Sequence, residues 1–211
     1  MTKKVYKSGV DFYYEGSQLL LEENVKNEFK GHRYLKNYIK YEANMNDKST
    51  RAPISKTICS ILNRKTGGNI YIGVTDDGVV RGHHLTDDQR IHFLSELTNL
   101  CEKFTPNITT LIDCVFIPVL PKNVIQEVID IECSSVDTLC KKYDQNTHFY
   151  ERDKFCWCDT ECMGMLSHSI LPSCYVIVLK IKKSDPDQIY QNEEGIKCMR
   201  GLASNKTIHD I

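Results

Sequence analysis

Glu23 and Glu28 stand five positions apart, and an acidic pair, Asp76-Asp77, follows much further along the chain. On an extended segment side chains alternate, so carboxylates five apart face opposite sides unless a bend lies between them. Acids gathered at one place repel each other unless a cation sits among them. Hard oxygen ligands in that number suit Mg2+ or Mn2+, which position phosphate and activate water. Asp76-Asp77-Gly78 reads equally as a plain hairpin turn.

A second constellation is Cys156-x-Cys158-x3-Cys162, within a region holding six of the ten cysteines, Cys133 to Cys174. The N-terminal Met1-Thr2-Lys3-Lys4 has no apolar run behind it, so no secretory leader is expected. A cytoplasmic chain favours reduced thiols or metal ligation over a disulfide scaffold. Thiolates are the usual structural Zn2+ ligands, and an irregular loop from Ser134 to Ser173 needs a clasp. Cys156, Cys158 and Cys162, completed by Cys174 or His148, are the expected zinc ligands. Cys59, Cys101 and Cys198 read as small buried hydrophobes. Trp157 reads as a packing anchor of the loop, and His83-His84 as exposed loop residues.

The third feature is charge. The chain has 211 residues and a formal net charge of −1. Residues 1–65 hold 13 Lys/Arg against 7 Asp/Glu, a net of +6, and the remaining 14 against 21 give −7. Lys26, Lys30, His32, Arg33 and Lys36, interleaved with Tyr34, Tyr38 and Tyr41, suit a polyanion, with cations for phosphates and rings for bases. No apolar run reaches the roughly 18 to 20 residues of a membrane helix.

Several elements must position these residues. Val25 to Lys30 reads as a short strand. Pro53 opens a helix with Ile54, Ile58, Ile61 and Leu62 on one face, ended by Thr66-Gly67-Gly68. Asn69 to Val74 is a β-branched strand, Thr75 to Gly78 a turn, and Val79 to Gly82 the returning strand. Thr86 and Gln89 form a capping box for a helix whose apolar face is expected to be Ile91, Leu94, Leu97, Leu100 and Cys101. Thr110 to Val119, Glu127 to Glu132, Cys174 to Ile181 and Ile196 to Met199 read as strands. The expected fold is α+β, one domain over 1–211, with a mixed β-sheet, helices mainly on one face, and a cysteine-rich insertion at 133–173.

Glu23-Asn24-Val25-Lys26-Asn27-Glu28-Phe29-Lys30 resembles the E-x4-E-F-K segment of the Schlafen family. Phe29-Lys30-Gly31-His32-Arg33 is similar to its Schlafen-like branch. Residues 53–82, with Gly67-Gly68-Asn69-Ile70-Tyr71-Ile72-Gly73-Val74, resemble its core block. The resemblance implies an AlbA-like lobe and a metal-dependent endoribonuclease acting on structured RNA, such as tRNA or small-RNA and piRNA precursors. It implies Glu23, Glu28 and the turn at Asp76 as catalytic acids holding Mg2+ or Mn2+, with Lys30 against phosphate. Family members often carry I-G-V-D-D at that turn. Thr75 takes the first acid position here, leaving Asp76, Asp77 or neither as third ligand. The family also implies a structural Zn2+, for which Cys114 with Cys174 is the rival layout. Family cores pair two lobes, so one lobe is expected to form a homo- or hetero-oligomer with another Schlafen-like subunit. The alternative is a non-catalytic RNA-binding or scaffolding subunit.

Overall fold

The computed structural model describes residues 12–31, 53–122, 156–201 and 205–207. The strand expected at 127–132, the candidates His32, Arg33 and Lys36, and the cysteine-loop residues Cys133, Cys140 and His148 lie outside these.

Among the described residues the architecture is α+β. Strands β1 (Tyr13–Tyr14), β2 (Asn27–Lys30), β3 (Gly68–Ile72), β4 (His83–His84), β5 (Ile112–Leu120) and β6 (Cys174–Ile181) form one sheet in the order β1-β5-β6-β3-β2, with β4 also on β6. β6 is antiparallel to both β3 and β5, whereas β2 runs parallel to β3 with Glu28 opposite Ile70. Val176 to Leu179 of β6 are buried, as their central position requires. No helix among the described residues is long and apolar enough to cross a membrane.

Helix α1 (Ile54–Asn63) is buried at every residue except Lys56. Ile54, Ile58, Ile61 and Leu62 share a core with Ile70, Ile72, Ile177, Leu179 and Ile181 of the sheet. Its other side meets the hairpin of β7 (Cys198–Arg200) and β8 (Asn205–Thr207). Polar side chains on that side are therefore buried, and each needs a partner. Asn63 finds three: its amide donates to the Tyr190 and Cys198 carbonyls at 2.9 and 2.8 Å, and its oxygen accepts the Tyr190 N–H at 2.7 Å. Asn63→Ala orphans all three backbone groups, and is expected to cost about 2–3 kcal/mol in urea unfolding. A loss below about 0.5 kcal/mol would show that water replaces the amide.

Helix α2 (Asp87–Glu102) opens with the expected capping box. Its buried stripe is Phe93, Leu97, Leu100 and Cys101, whereas Ile91 and Leu94 are exposed. Phe93, which meets the Phe116 ring of β5 edge-on, turns the helix away from the expected face. The return strand also differs. Gly73, at φ 93°, passes so close to Gly82 that a Cβ would stand 2.9 Å from its Cα. The hairpin thins to one bridge, Val74 to Val80, and the chain runs on into β4. His83 is consequently buried rather than exposed. In the cysteine-rich region Asp159–Ser167 forms a helix, α3, where irregular chain was expected. Asp159 and Glu161 in its first turn favour the positive end of the helix dipole.

Candidate functional site

Glu23 precedes β2, and Glu28 and Lys30 project from β2 toward the α1 side of the sheet. The bend between the two acids is an Asn24 turn: the Asn24 side chain accepts the Lys26 and Asn27 N–H groups at 2.8 and 3.0 Å. Glu23 folds back so that its Oε1 accepts the Phe29 N–H at 2.8 Å. Partial burial, and then the neighbouring Glu28 carboxylate, hold the Glu23 carboxyl above its ordinary value. The two acids thus converge, as a shared site requires.

Glu28 is 6% exposed and engages two cations. Its Oε1 lies 2.5 Å from Lys30 Nζ, and its Oε2 accepts from Arg200 Nη2. Arg200, 5% exposed, is placed by β7 and held on several sides. It donates to the Asn24 carbonyl (3.3 Å) and to Asn205 Oδ1 (3.2 Å), while its own carbonyl accepts from Arg64 at 3.0 Å. Asn205 in turn accepts from Ser60 and donates to Thr57, at 2.7 and 3.1 Å, anchoring the hairpin to α1. Arg200 was not among the sequence-derived candidates.

Asp76 and Asp77 are exposed at the hairpin tip beyond β3. The Thr75 hydroxyl donates to Asp77 Oδ1 and accepts the Val79 N–H at 3.0 Å, which closes the turn. That hydroxyl holds the Asp77 carboxyl below its usual range. Glu23, Glu28 and Asp76 do not form a ligand group. Among the described residues, the His, Cys, Asp or Glu ligand atoms that gather in threes within 4.8 Å are those of His92, Cys156 and Cys158.

That second group is built from α2 and the start of α3. His92 Nδ1 stands 3.2 Å from both Cys156 Sγ and Cys158 Sγ, and the two sulfurs are 3.4 Å apart. Tetrahedral zinc with Zn–S of about 2.3 Å and Zn–N of about 2.0 Å spaces its ligands at about 3.5 Å, so the donor set and its span suit Zn2+. The Trp157 ring stacks on His92 at 5.1 Å while remaining exposed, and Glu161 accepts the Asp88 N–H at 3.1 Å. Cys162, one turn after Cys158 in α3, is buried but outside the tight group. Cys174 lies elsewhere, its Sγ packed against the Gly82 turn and 3.6 Å from the Arg81 carbonyl. Cys114 lies on β5 opposite Leu179. His92 was missed because it stands 64 positions before Cys156, on a helix read only for its apolar face. The family model described as Schlafen, AlbA_2 matches residues 23–208.

Proposed function

The chain belongs to the Schlafen, AlbA_2 family, and from that premise we propose that it is an RNA-binding subunit of a nuclease assembly. It engages structured RNA such as tRNA or small-RNA precursors and pairs with a second Schlafen-like lobe. The observation that carries this reading is the enclosure of Glu28 by Lys30 and Arg200. Two carboxylates, Glu23 and Glu28, face two cations, so the local charge cancels. Mg2+ or Mn2+ would compete with Arg200 and Lys30 for the same oxygens, and the residues as arranged do not fit it. Thr75 at the first acid position supports the same reading. Lys26, together with His32, Arg33 and Lys36, supplies the phosphate contacts. Zn2+ held by His92, Cys156 and Cys158, with Cys162 as fourth ligand, clasps α3 to α2 and supplies no reaction.

A second reading is favoured by one observation. Glu23 folds back across the Asn24 turn to the Phe29 N–H and so comes beside Glu28, as two acids of one metal site would. On this reading Glu23 and Glu28, joined by Asp76 as the family resemblance implies, would be the catalytic acids of a divalent-metal endoribonuclease. Incubating the full chain with a labelled hairpin RNA, in Mn2+ and in EDTA, separates the two. RNA binding that persists in EDTA without Mn2+-dependent cleavage is expected. Cleavage that needs Mn2+ and disappears in Glu28→Gln would overturn the non-catalytic reading.

A further inference from the structure

Gly67 and Gly68 draw three separate basic segments to one end of the sheet. A Cβ on Gly67, at φ 68°, would stand 2.7 Å from the Ile181 carbonyl oxygen and 3.1 Å from Lys183 N. One on Gly68 would stand 2.6 Å from the Lys26 carbonyl oxygen. Only glycine permits backbones this close. The approach places Lys26 before β2, Arg64-Lys65 after α1, and Lys180, Lys182 and Lys183 at the end of β6 on a common rim.

The acids facing this rim are fewer. Lys182 Nζ is 3.2 Å from Asp113, and Lys65 feels Asp185 and Asp187. Lys65 is further occupied by the Gln188 carbonyl and by the Tyr190 ring, 5.2 Å away. Lys26, Lys180 and Lys183 have no ion-pair partner among the described residues, and Lys26 and Lys183 are exposed. Leu179 and Ile181 pack into the core shared with α1, so Lys180 between them leaves the sheet on the other face, with Asn69 and Asp113 as its cross-strand neighbours.

We infer that this rim is a docking surface for the phosphate backbone of RNA, with Lys26, Lys180 and Lys183 as its contacts. Cations strung along an edge, rather than converging on one point, match a polyanion better than a single bound anion. The rim adjoins Asn24, whose carbonyl Arg200 holds, so RNA lying on it passes beside the Glu23–Glu28 site. The inference rests on the RNA-binding reading and adds to it a surface from the half of the chain with net negative charge.

The test is anisotropy of a labelled hairpin RNA against the full chain across a NaCl series, for wild type, Lys180→Gln/Lys183→Gln, and Lys103→Gln at the far end of α2. Each lost phosphate contact lowers the slope of log K against log salt by about 0.7–0.9. The double variant is expected to bind about tenfold more weakly near 0.1 M salt, with a slope shallower by about 1.5. Lys103→Gln should stay within about twofold of wild type. Wild-type binding with an unchanged double-variant affinity and slope would overturn the rim and leave the RNA-binding reading standing. A wild type without salt-dependent RNA binding would overturn both.

Discussion

Treating the protein with a strong zinc chelator is expected to lower its Tm by roughly 10 °C, with the release of one zinc ion per chain. The span of the His92, Cys156 and Cys158 ligand atoms, 3.2–3.4 Å, is close to that of a tetrahedral ion. Where folding depends wholly on metal, structural zinc is worth about 10–16 kcal/mol. Here the main core of α1, α2 and the sheet contains none of the three ligands. An ion held there would clasp only α3 to α2, so about 3–5 kcal/mol is the fraction at stake. At about 2–4 °C per kcal/mol for a chain of this size, that gives the stated shift. Cys158→Ser should reproduce it and should make the chelator nearly inert, since both remove the same clasp. Metal content by mass spectrometry under native conditions checks the stoichiometry. A chelator that leaves the Tm unmoved, or a purified chain without zinc, would refute the clasp.

What could be read from the residues beforehand follows the range of the interactions. The capping box of Thr86 and Gln89 spans three positions, and the strand Cys174–Ile181 declares itself by five β-branched or aromatic residues in eight; both appear as expected. The convergence of Glu23 and Glu28 needed a bend, and Asn24 supplies it locally. The failures involve distance. Ile91 and Leu94 satisfy a helical period as well as Phe93 does, and only the Phe116 ring, far along the chain, selects the face. Arg200 pairs with Glu28 across 172 positions, and nothing near either residue announces it. Charge along the chain misled in the same way. Lys180, Lys182 and Lys183 belong to a segment of net −7, yet the sheet sets them beside Lys26 of the +6 segment.

Replacing Arg200 by alanine is expected to destabilise the fold by about 3–5 kcal/mol, because it strands a buried carboxylate with one of its two cations. It also leaves the Asn24 carbonyl without the Arg200 donor, and Asn205 Oδ1 with Ser60 alone. Lysine should rescue little, since one ammonium cannot reproduce a guanidinium that reaches Glu28, Asn24 and Asn205 together. Glu28→Gln alone should also be costly, since Lys30 and Arg200 would then face each other without a carboxylate. Arg200→Ala with Glu28→Gln should lose less than the sum of the two single variants, by about 1–3 kcal/mol, the coupling of a direct pair. Equal sums would mean that Arg200 acts only through the hairpin. Arg200→Ala by itself also probes the chemistry of the site. Without Arg200, Glu23 and Glu28 meet Lys30 alone, and an uncompensated carboxylate recruits a cation. Mn2+ should therefore raise the Tm of Arg200→Ala, should do so only while Glu23 is present, and should leave wild type unmoved. If Mn2+ instead stabilises wild type and variant alike, Arg200 does not stand in the cation's place, and the endoribonuclease reading takes precedence.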